Sequence, residues 1–350
     1  MTFRRGEIVS ARFAPDAQTV LYTAAWDSKP IEIFVSRPES PESRPFGLSG
    51  AQVLAISGSG EMALSLNSRV LEPFVRTGTL ARVSVAGGAA PREVLEDVLW
   101  ADWAPDGALA IVREAHGKSR LEFPIGKVLY ETTGYITHPR VSPRGDAVAF
   151  LDHPAHTDDG GAVAIVDGSG ARKTLSALFA SIWGLAWSPG GEIWFTAAAV
   201  GGNRSLYGVT RSGRARVISR VTGSLTLQDV SRDGRVLMTH DVTHIGILAL
   251  IPGEQKERDF SWLDYSVVTG LSADGRTLLF NESGEGVVRV IRLTCGRRTG
   301  RRRFDSGKEW DGPSRPTGGG CWRSCIRPRT RKPSSIQRAP GNRRCYQPRG

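Results

Sequence analysis

The chain has 350 residues, of which 40% are hydrophobic and 23% are charged, a composition typical of a globular protein with a large core. Its net charge of +11 lies in residues 295–350, which hold 16 Lys+Arg and 3 Asp+Glu, whereas residues 1–294 hold 30 basic and 32 acidic residues. No apolar stretch of about eighteen residues occurs, and "MTFRRGEIVSARF" lacks the apolar core of a signal peptide. We therefore expect no membrane segment and a cytoplasmic location for the chain as written.

One short pattern recurs through residues 1–294: apolar residues, a Ser or Ala, a Pro/Asp-type pair, a Gly, and a second apolar run. In chain order the copies read "ARFAPDAQTVLYTA", "LAISGSGEMALSL", "ADWAPDGALAIVR", "PRVSPRGDAVAFLD", "LAWSPGGEIWFTA", "QDVSRDGRVLMTH" and "TGLSADGRTLLFN". Their anchor residues are Ala17, Gly60, Gly107, Gly145, Gly191, Gly234 and Gly275. Successive anchors lie 38 to 47 residues apart, which indicates a repeat architecture with one structural unit per copy.

Each copy predicts a tight β-hairpin. Ser or Ala opens the turn, Pro fixes φ at the next position, and Asp suits the third. Gly then supplies the left-handed conformation of a type I turn with a G1 bulge, which makes the six anchor glycines structural turn positions. In the first copy Ala17 stands where Gly is expected. A positive φ there is expected to cost about 1 kcal/mol.

Two weaker strand signals follow each hairpin. In the fifth unit "SIWGLAWS", "EIWFTAA", "RSLYGVT" and "ARVISRV" predict four strands without helical periodicity. Units of about 40–50 residues with four strands are typical of β-propeller blades. A β-sandwich is the alternative, but sandwiches do not repeat one hairpin at a fixed period. The sequence thus predicts an all-β fold over residues 1–294, a β-propeller of four-stranded blades with about seven blade hairpins. The seventh unit lacks proper outer strands, so closure of the propeller can be incomplete.

The "SPDG"-type turns, with Trp or an aliphatic residue just before them, resemble the WD40-like (PD40) repeats of TolB-type β-propellers. The resemblance covers essentially all of residues 1–294. Through "RGEIVSARFAPD", "PIGKVLYETTGYITHPRVSPRGD" and "LTLQDVSRDGRVL" it is nearest to propeller segments attached to bacterial serine/threonine protein kinases. It implies a sensing or docking module, in a parent family that can place the propeller outside the membrane.

Catalytic motifs are absent from the sequence. It contains no "HRD", "DFG" or "VAIK"-like kinase motif, no P-loop, and no "GxSxG" nucleophile elbow of a serine peptidase. The nearest Gly-rich element, "SGSGEMA" at residues 57–63, lies in a repeat hairpin and lacks a third glycine. We therefore predict no enzymatic activity, no catalytic residue and no cofactor.

The segment "LDHPAHTDDGG" is the one dense cluster of histidine and acidic residues. His153, His156 and Asp158 are weak candidates for a metal site, because imidazole and carboxylate groups bind divalent ions. The Pro/Gly composition predicts a solvated polar loop between two strands instead, and we expect no metal. His240 and His244 in "THDVTH" would align on a helix, but their flanks predict a strand.

The tryptophans of the repeats have two interpretations. Trp103 and Trp187 stand shortly before anchor glycines, and Trp183 and Trp194 flank the fifth hairpin. Packing within and between blades is the favoured interpretation. The alternative is an aromatic ring around the channel mouth that binds a ligand or peptide.

Residues 295–350 differ from the rest of the chain. They hold 14 Arg and all four cysteines but no Leu, Val, Met or His, so we expect a disordered basic tail. The cysteine spacing does not fit a zinc site, and nucleic-acid binding is not the expected role. Codons for "PSRPTGGGCWRS" can be regrouped to encode "LSPDGRWVLAL", which would be the next repeat hairpin. We hypothesise that the reading frame slips near residues 289–297.

The sequence therefore favours a non-catalytic interaction or sensing module that binds a protein, peptide or small ligand at the propeller face. Which partner it binds and whether it oligomerises stay open. The alternative is a detached propeller fragment of a bacterial serine/threonine protein kinase, or of a prolyl-oligopeptidase-like peptidase, with no activity of its own.

Overall fold

The computed structural model describes residues 6–294 apart from 28, 38, 41, 73, 157, 243–244, 252, 262–265, 276 and 285–286. The described residues lie in one compact unit, Met1–Ser306. The second unit, Gly307–Gly350, lies outside them, as does the whole predicted tail of residues 295–350 with its cysteines. Over the described part of the chain, no helix has the length and apolarity needed to span a membrane.

The regular elements of the described residues are β-strands, and neighbouring strands in every sheet are antiparallel. The strands are β1 Gly6–Phe13, β2 Val20–Trp26, β3 Glu32–Ser36, β4 Arg44–Ser49, β5 Gln52–Ile56, β6 Glu61–Glu72, β7 Val75–Ser84, β8 Arg92–Trp103, β9 Leu109–Ala115, β10 Lys118–Glu122, β11 Val128–Thr132, β12 Tyr135–Val141, β13 Ala147–His153, β14 Ala162–Asp167, β15 Arg172–Thr174, β16 Ser181–Trp187, β17 Ile193–Ala198, β18 Ser205–Val209, β19 Ala215–Ser219, β20 Ser224–Val230, β21 Val236–Asp241, β22 Leu248–Ala249, β23 Arg258–Asp259, β24 Ser266–Leu271, β25 Thr277–Gly284 and β26 Val287–Thr294.

Successive strands form blades. The first, fourth and fifth blades are the four-stranded sheets β1–β4, β12–β15 and β16–β19. The second and third share one seven-stranded sheet, β5–β11, because the long β8 pairs with β7 through its first half and with β9 through its second. β20 and β21 begin the sixth blade, and β24–β26 carry the seventh hairpin. The predicted all-β propeller of four-stranded blades is confirmed, including the four strands of the fifth unit.

The seven repeat turns each join an innermost strand to the next strand of its sheet. In every turn the anchor nitrogen donates to the carbonyl three residues earlier, as from Gly107 to Ala104 at 3.0 Å. The anchors have positive φ, from 54° at Ala17 to 86° at Gly107. Ala17 therefore adopts the left-handed conformation that disfavours a side chain.

The innermost strands of six blades follow one another around a centre. β1 contacts β5, and the contacts continue through β8, β12, β16 and β20, which in turn contacts β1. Gln228 Oε1 accepts a hydrogen bond from Ala11 N at 3.1 Å, and Arg235 Nη1 donates to Gln18 Oε1 at 2.7 Å. Within the described residues no strand pairing joins the first and sixth blades. They meet without a shared sheet, as the third and fourth blades also do. Among the described strands, no sheet joins the first blade to the seventh hairpin, so the closure that the sequence left open is incomplete.

The apolar core lies between neighbouring blades. Trp100 of the third blade and Phe150 of the fourth belong to one buried cluster, and Leu151 of the fourth and Phe195 of the fifth belong to the next. Burial of apolar surface stabilises a fold by about 25 cal/mol per Å². Because each blade covers the face of its neighbour, the ring supplies a core that no single blade has.

Candidate functional site

The innermost strands each carry a β-bulge near their middle. The register against the second strand shifts between Thr137 and Arg140 in β12 and between Trp183 and Leu185 in β16, and similar shifts occur in β1, β5, β8, β20 and β24. A bulge bends its strand and re-aims the neighbouring side chains. The bulges lie six to eight residues before the anchor of each repeat, so each one bends its innermost strand shortly before the repeat turn.

A ring of equivalent residues follows these bulges, which we call the channel ring. Its members in blade order are Arg12, Ala55, Asp102, Arg140, Ala186 and Asp229. The order Arg, Ala, Asp therefore occurs twice. The first three blades and the next three are related by a pseudo-twofold repetition that is visible only when the copies are aligned on their anchors.

The two arginines of the channel ring bridge blades. Arg12 Nε donates to Leu54 O at 2.9 Å, and Arg140 Nε donates to Leu185 O at 2.8 Å, so each reaches the next blade in the same way. Both guanidinium groups also donate to Gln228 O, Arg12 from Nη1 at 2.8 Å and Arg140 from Nη2 at 3.1 Å. These hydrogen bonds to buried carbonyls tie five blades together at the centre.

Burial sets the electrostatics of the channel ring. Desolvation, with the neighbouring charge of Arg140, lowers the pKa of Arg12 to about 9. Desolvation also raises the pKa of Asp102, although Arg140 and the Val141 nitrogen act in the opposite direction. Buried charges are tolerated when they are paired and hydrogen-bonded. Arg140 pairs with Asp102 at 3.4 Å, and the guanidinium of Arg12 is hydrogen-bonded to backbone carbonyls. These contacts give the charged members of the ring a structural role.

We call the end of the ring where the innermost strands begin the upper face. A second group of side chains lies there, which we call the upper cluster; it consists of Trp100, Tyr135, His138, His153 and Trp183. The His138 ring centroid lies 4.2 Å from that of Trp100 and 4.9 Å from that of Trp183, and Trp183 lies 6.0 Å from His153. His153 stacks on Tyr135 at 4.2 Å with an interplanar angle of 4°. Trp183 is only partly buried, so the cluster presents an aromatic surface.

His138 is unusual in two respects. It has φ 50° within the bulge of β12, where a non-glycine residue is strained. Its side chain is buried, at 6% exposure, and its Nδ1 has no hydrogen-bond partner. Desolvation first, and then the charges of Arg140 and Arg12, hold its pKa well below the usual range. The ring is thus neutral, and it has an unused hydrogen-bonding atom at a strained position.

The sequence predicted a solvated loop for "LDHPAHTDDGG", and this prediction is wrong for the first histidine, His153. β13 extends through His153, whose side chain is fully buried. Its Nδ1 binds Gly160 O at 3.1 Å and its Nε2 binds Thr137 Oγ1 at 2.9 Å. The partner ring of Tyr135 lies on the adjacent strand, so the local Pro/Gly composition carried no sign of this burial.

The other two metal candidates also have protein partners. His156 Nδ1 binds Glu72 Oε2 at 2.5 Å, and its Nε2 binds Thr133 O at 3.0 Å. Asp158 Oδ1 accepts a hydrogen bond from Gly160 N at 3.0 Å. Across the described ranges, no three His, Cys, Asp or Glu side chains converge as a metal site would require. His240 lies in β21 with Nε2 bound to Thr222 O at 2.9 Å, and His244 lies outside the described residues.

The tryptophans divide between the two interpretations. Trp103 is buried beneath Arg82, whose guanidinium lies 4.7 Å from its ring. Trp187 Nε1 donates to Arg140 O at 3.0 Å, and Trp194 Nε1 donates to Glu192 Oε2, two residues earlier, at 3.2 Å. These three contribute to packing. Trp183 is the one of the four that joins the upper cluster.

The channel ring and His138 were missed by sequence reasoning. The signal for the ring was present, because the hairpin copies that begin "ARF", "ADW", "PRV" and "QDV" place an Arg or Asp at one repeat position. Charged residues at a position otherwise occupied by alanine or glycine point to a shared buried network. No comparable signal marks His138, because its strain and its unpartnered nitrogen arise from the bulge.

Antiparallel blades around a centre lined by bulged innermost strands define a β-propeller. No protein-family model matches the chain, and no curated protein is significantly similar. Among solved structures, TolB from Acinetobacter baumannii is 18% identical with a TM-score of 0.48, over 61% of this chain and 54% of that protein. A puromycin-hydrolyzing peptidase from Mycobacterium tuberculosis is 16% identical with a TM-score of 0.42, over 86% and 53%. An acylaminoacyl peptidase from Pyrococcus horikoshii is 14% identical with a TM-score of 0.44, over 85% and 52%. The chain thus spans about half the length of these proteins.

Proposed function

We propose that the chain is a non-catalytic interaction module that binds a protein or peptide segment through the upper cluster. The observation that carries this proposal is Trp183, a partly exposed ring beside the strained His138 with its unpartnered Nδ1. Tryptophan is enriched where binding energy concentrates. A buried polar atom without a partner is costly unless a ligand satisfies it.

The use of the other polar groups supports binding over catalysis. The channel-ring arginines donate to backbone carbonyls, and both nitrogens of His153 and His156 have protein partners. A catalytic acid or base needs a titratable group free to face the substrate. In the upper cluster the available polar atom belongs to a neutral histidine among aromatic rings, which suits recognition.

A detached propeller of a bacterial serine/threonine kinase or of a prolyl-oligopeptidase-like peptidase is the second candidate. The inner strand of the seventh hairpin favours it, because Val267, Val268 and Leu271 in β24 are 38%, 48% and 66% exposed. A further blade would cover such a strand. The gene's flanking nucleotide sequence tests this candidate: a kinase- or peptidase-coding stretch joined to this gene supports it, and unrelated flanks contradict it.

Selection from a random-peptide display library on the full chain tests the interaction proposal. Enriched peptides are expected to lose binding to the Trp183→Ala variant and to keep it with Trp194→Ala. Both tryptophans are partly buried on the fifth blade, but only Trp183 lies in the upper cluster. Failure to enrich any peptide, or equal loss in both variants, would contradict the proposal.

A further inference from the structure

The β6–β7 hairpin of the second blade is longer than its counterparts. β6 has twelve residues, whereas the equivalent strands β2, β9 and β13 have seven. At about 3.3 Å per residue, the extra length adds roughly 16 Å beyond the upper face. The pairing register shifts between Leu66 and Arg69, and Asn67 has φ 51°. A bulge of this kind bends a hairpin, and this one bends across the face.

The tip of this hairpin rests on the upper cluster. The Phe74 ring centroid lies 6.2 Å from that of Trp183 in the fifth blade. Glu72 Oε2 lies 2.5 Å from His156 Nδ1 in the loop after β13 of the fourth blade. A segment of the second blade therefore reaches two distant blades and covers the partly exposed tryptophan.

The side-chain contacts of Glu72 and Phe74 with the fourth and fifth blades are weak. The side chains of Glu72 and His156 are both 39% exposed, and an ion pair at such a site contributes little to stability. Phe74 is only partly buried, and Val70 and Leu71 on the same hairpin are 59% and 47% exposed. Val75, the next residue, is 6% exposed and belongs to the buried cluster of Trp100 and Tyr135. Displacement is therefore confined to the tip residues before Val75.

The surface beneath the tip retains binding capacity that the tip does not use. His138 Nδ1 stays unpartnered although Phe74 lies close to the neighbouring Trp183. Backbone strain and an unsatisfied buried atom at one residue are typical of functional sites. The tip therefore does not use all of the binding capacity of the surface beneath it.

We propose that Glu72 and Phe74 are an internal, displaceable substitute for the ligand, which is a peptide segment with an acidic residue two positions before an aromatic one. The ligand carboxylate takes the place of Glu72 at His156, and the ligand ring takes the place of Phe74 on Trp183. This rests on the proposed function of the upper cluster as a peptide-binding site. The hairpin then lowers apparent affinity, because a ligand binds only the fraction of molecules whose tip has left.

The test uses the full chain and a synthetic peptide of the tip sequence, "VLEPFVRT", as the probe. The Phe74→Ala variant is expected to bind this peptide about tenfold more tightly than the unaltered chain, because the internal ring that competes for Trp183 is gone. A peptide with Phe replaced by Ala is expected to lose that binding, and a peptide with Glu replaced by Gln is expected to bind a few-fold more weakly. Adding Trp183→Ala to Phe74→Ala is expected to abolish it.

Val70→Ala is the matched control, because Val70 lies on the same hairpin but is exposed. The Val70→Ala variant should bind the tip peptide with the same affinity as the unaltered chain. Equal affinity of Phe74→Ala and the unaltered chain, or equal binding of the altered peptides, would overturn the inference. Library peptides that need Trp183 but lack the acidic–aromatic pattern would overturn it while the proposed function stands. Absence of any Trp183-dependent peptide would remove the proposed function itself.

Discussion

Asp229 in the sixth blade accepts a hydrogen bond from the backbone nitrogen of Phe13 in the first, with Oδ2 2.9 Å from the nitrogen. Asp102 in the third blade accepts the equivalent bond from Val141 N in the fourth at 2.7 Å. Charge-assisted bonds of this kind are stronger than neutral ones. The sixth-to-first junction is thus built like the third-to-fourth, which makes the first six blades the structural unit of the ring.

Replacing Asp229 by Ala should weaken this junction. The Phe13 nitrogen loses its acceptor, and we expect the free energy of unfolding to fall by about 1–3 kcal/mol, as for Asp102→Ala. Denaturant unfolding of the full chain measures both. Asp106→Ala is the control, because the Asp106 bond to Ala108 N is exposed and local, and its loss should cost less than about 1 kcal/mol. If Asp102→Ala loses stability and Asp229→Ala does not, the first and sixth blades do not meet in solution.

Alanine substitutions at Gly184 and Gly191 distinguish the stability cost of backbone strain from the cost of a steric clash. Their φ angles are nearly equal, at 82° and 80°. A Cβ at Gly184 would lie 2.1 Å from Leu227 O in the sixth blade, whereas one at Gly191 would have nothing within 4 Å. We expect Gly191→Ala to cost about 0.5–1 kcal/mol and Gly184→Ala to cost at least about 2 kcal/mol more, or to prevent folding. Thermal or denaturant unfolding compares them, and equal losses would show that the two blades are further apart than described.

The repeat turns could be predicted because their causes are local. Gly145, for example, follows a Ser-Pro-Arg sequence that sets the turn by itself, and its φ of 73° needs no partner from another blade. The same holds for the strand alternation of the fifth unit. A sequence pattern is a reliable guide wherever neighbours in the chain are neighbours in space.

The candidate site could not be predicted because its causes are distant in sequence. Arg12 and Arg140 meet at Gln228 O only after all the intervening blades have been placed. His153 is buried by Tyr135 from the next strand, which reversed the solvated-loop prediction. The tip contact of Phe74 depends on the bend of its hairpin. Bulges change the direction of a side chain without changing the hydrophobic pattern, so sequence periodicity does not reveal them.

Ala17→Gly should stabilise the first hairpin. Ala17 has φ 54°, and relief of a left-handed alanine gains about 1–2 kcal/mol. Glycine adds freedom to the unfolded chain, which offsets about 0.4–1 kcal/mol of this gain. The expected net increase in unfolding free energy is therefore about 0.5–1 kcal/mol. Gly107→Ala is the reverse control, because its anchor position is open, and it should destabilise by a similar amount. A loss of stability in Ala17→Gly would contradict the interpretation that the backbone of Ala17 is strained.

His153 should make the fold sensitive to acid. Desolvation lowers its pKa to about 4 in the folded chain, against about 6.5 when unfolded. Between these values the unfolded chain binds a proton that the folded chain does not. The contribution of His153 is therefore complete above pH ~6.5 and is lost as pH falls towards 4, by up to about 1.4 kcal/mol per pH unit. Burial lowers the pKa of His138 as well, so its effect has the same sign.

Denaturant unfolding at several pH values between ~6.5 and ~4.5 measures this dependence. The His153→Gln variant should lose stability more gradually on acidification, whatever its stability at neutral pH. The slope of its unfolding free energy against pH should be smaller by up to about 1.4 kcal/mol per pH unit, the contribution of one proton. His240→Gln, whose side chain is exposed, is the control and should follow the unaltered chain. The slope is the quantity to compare, because removal of a buried ring also changes packing. If His153→Gln keeps the full slope, the acid sensitivity arises elsewhere and His153 is charged in the folded protein.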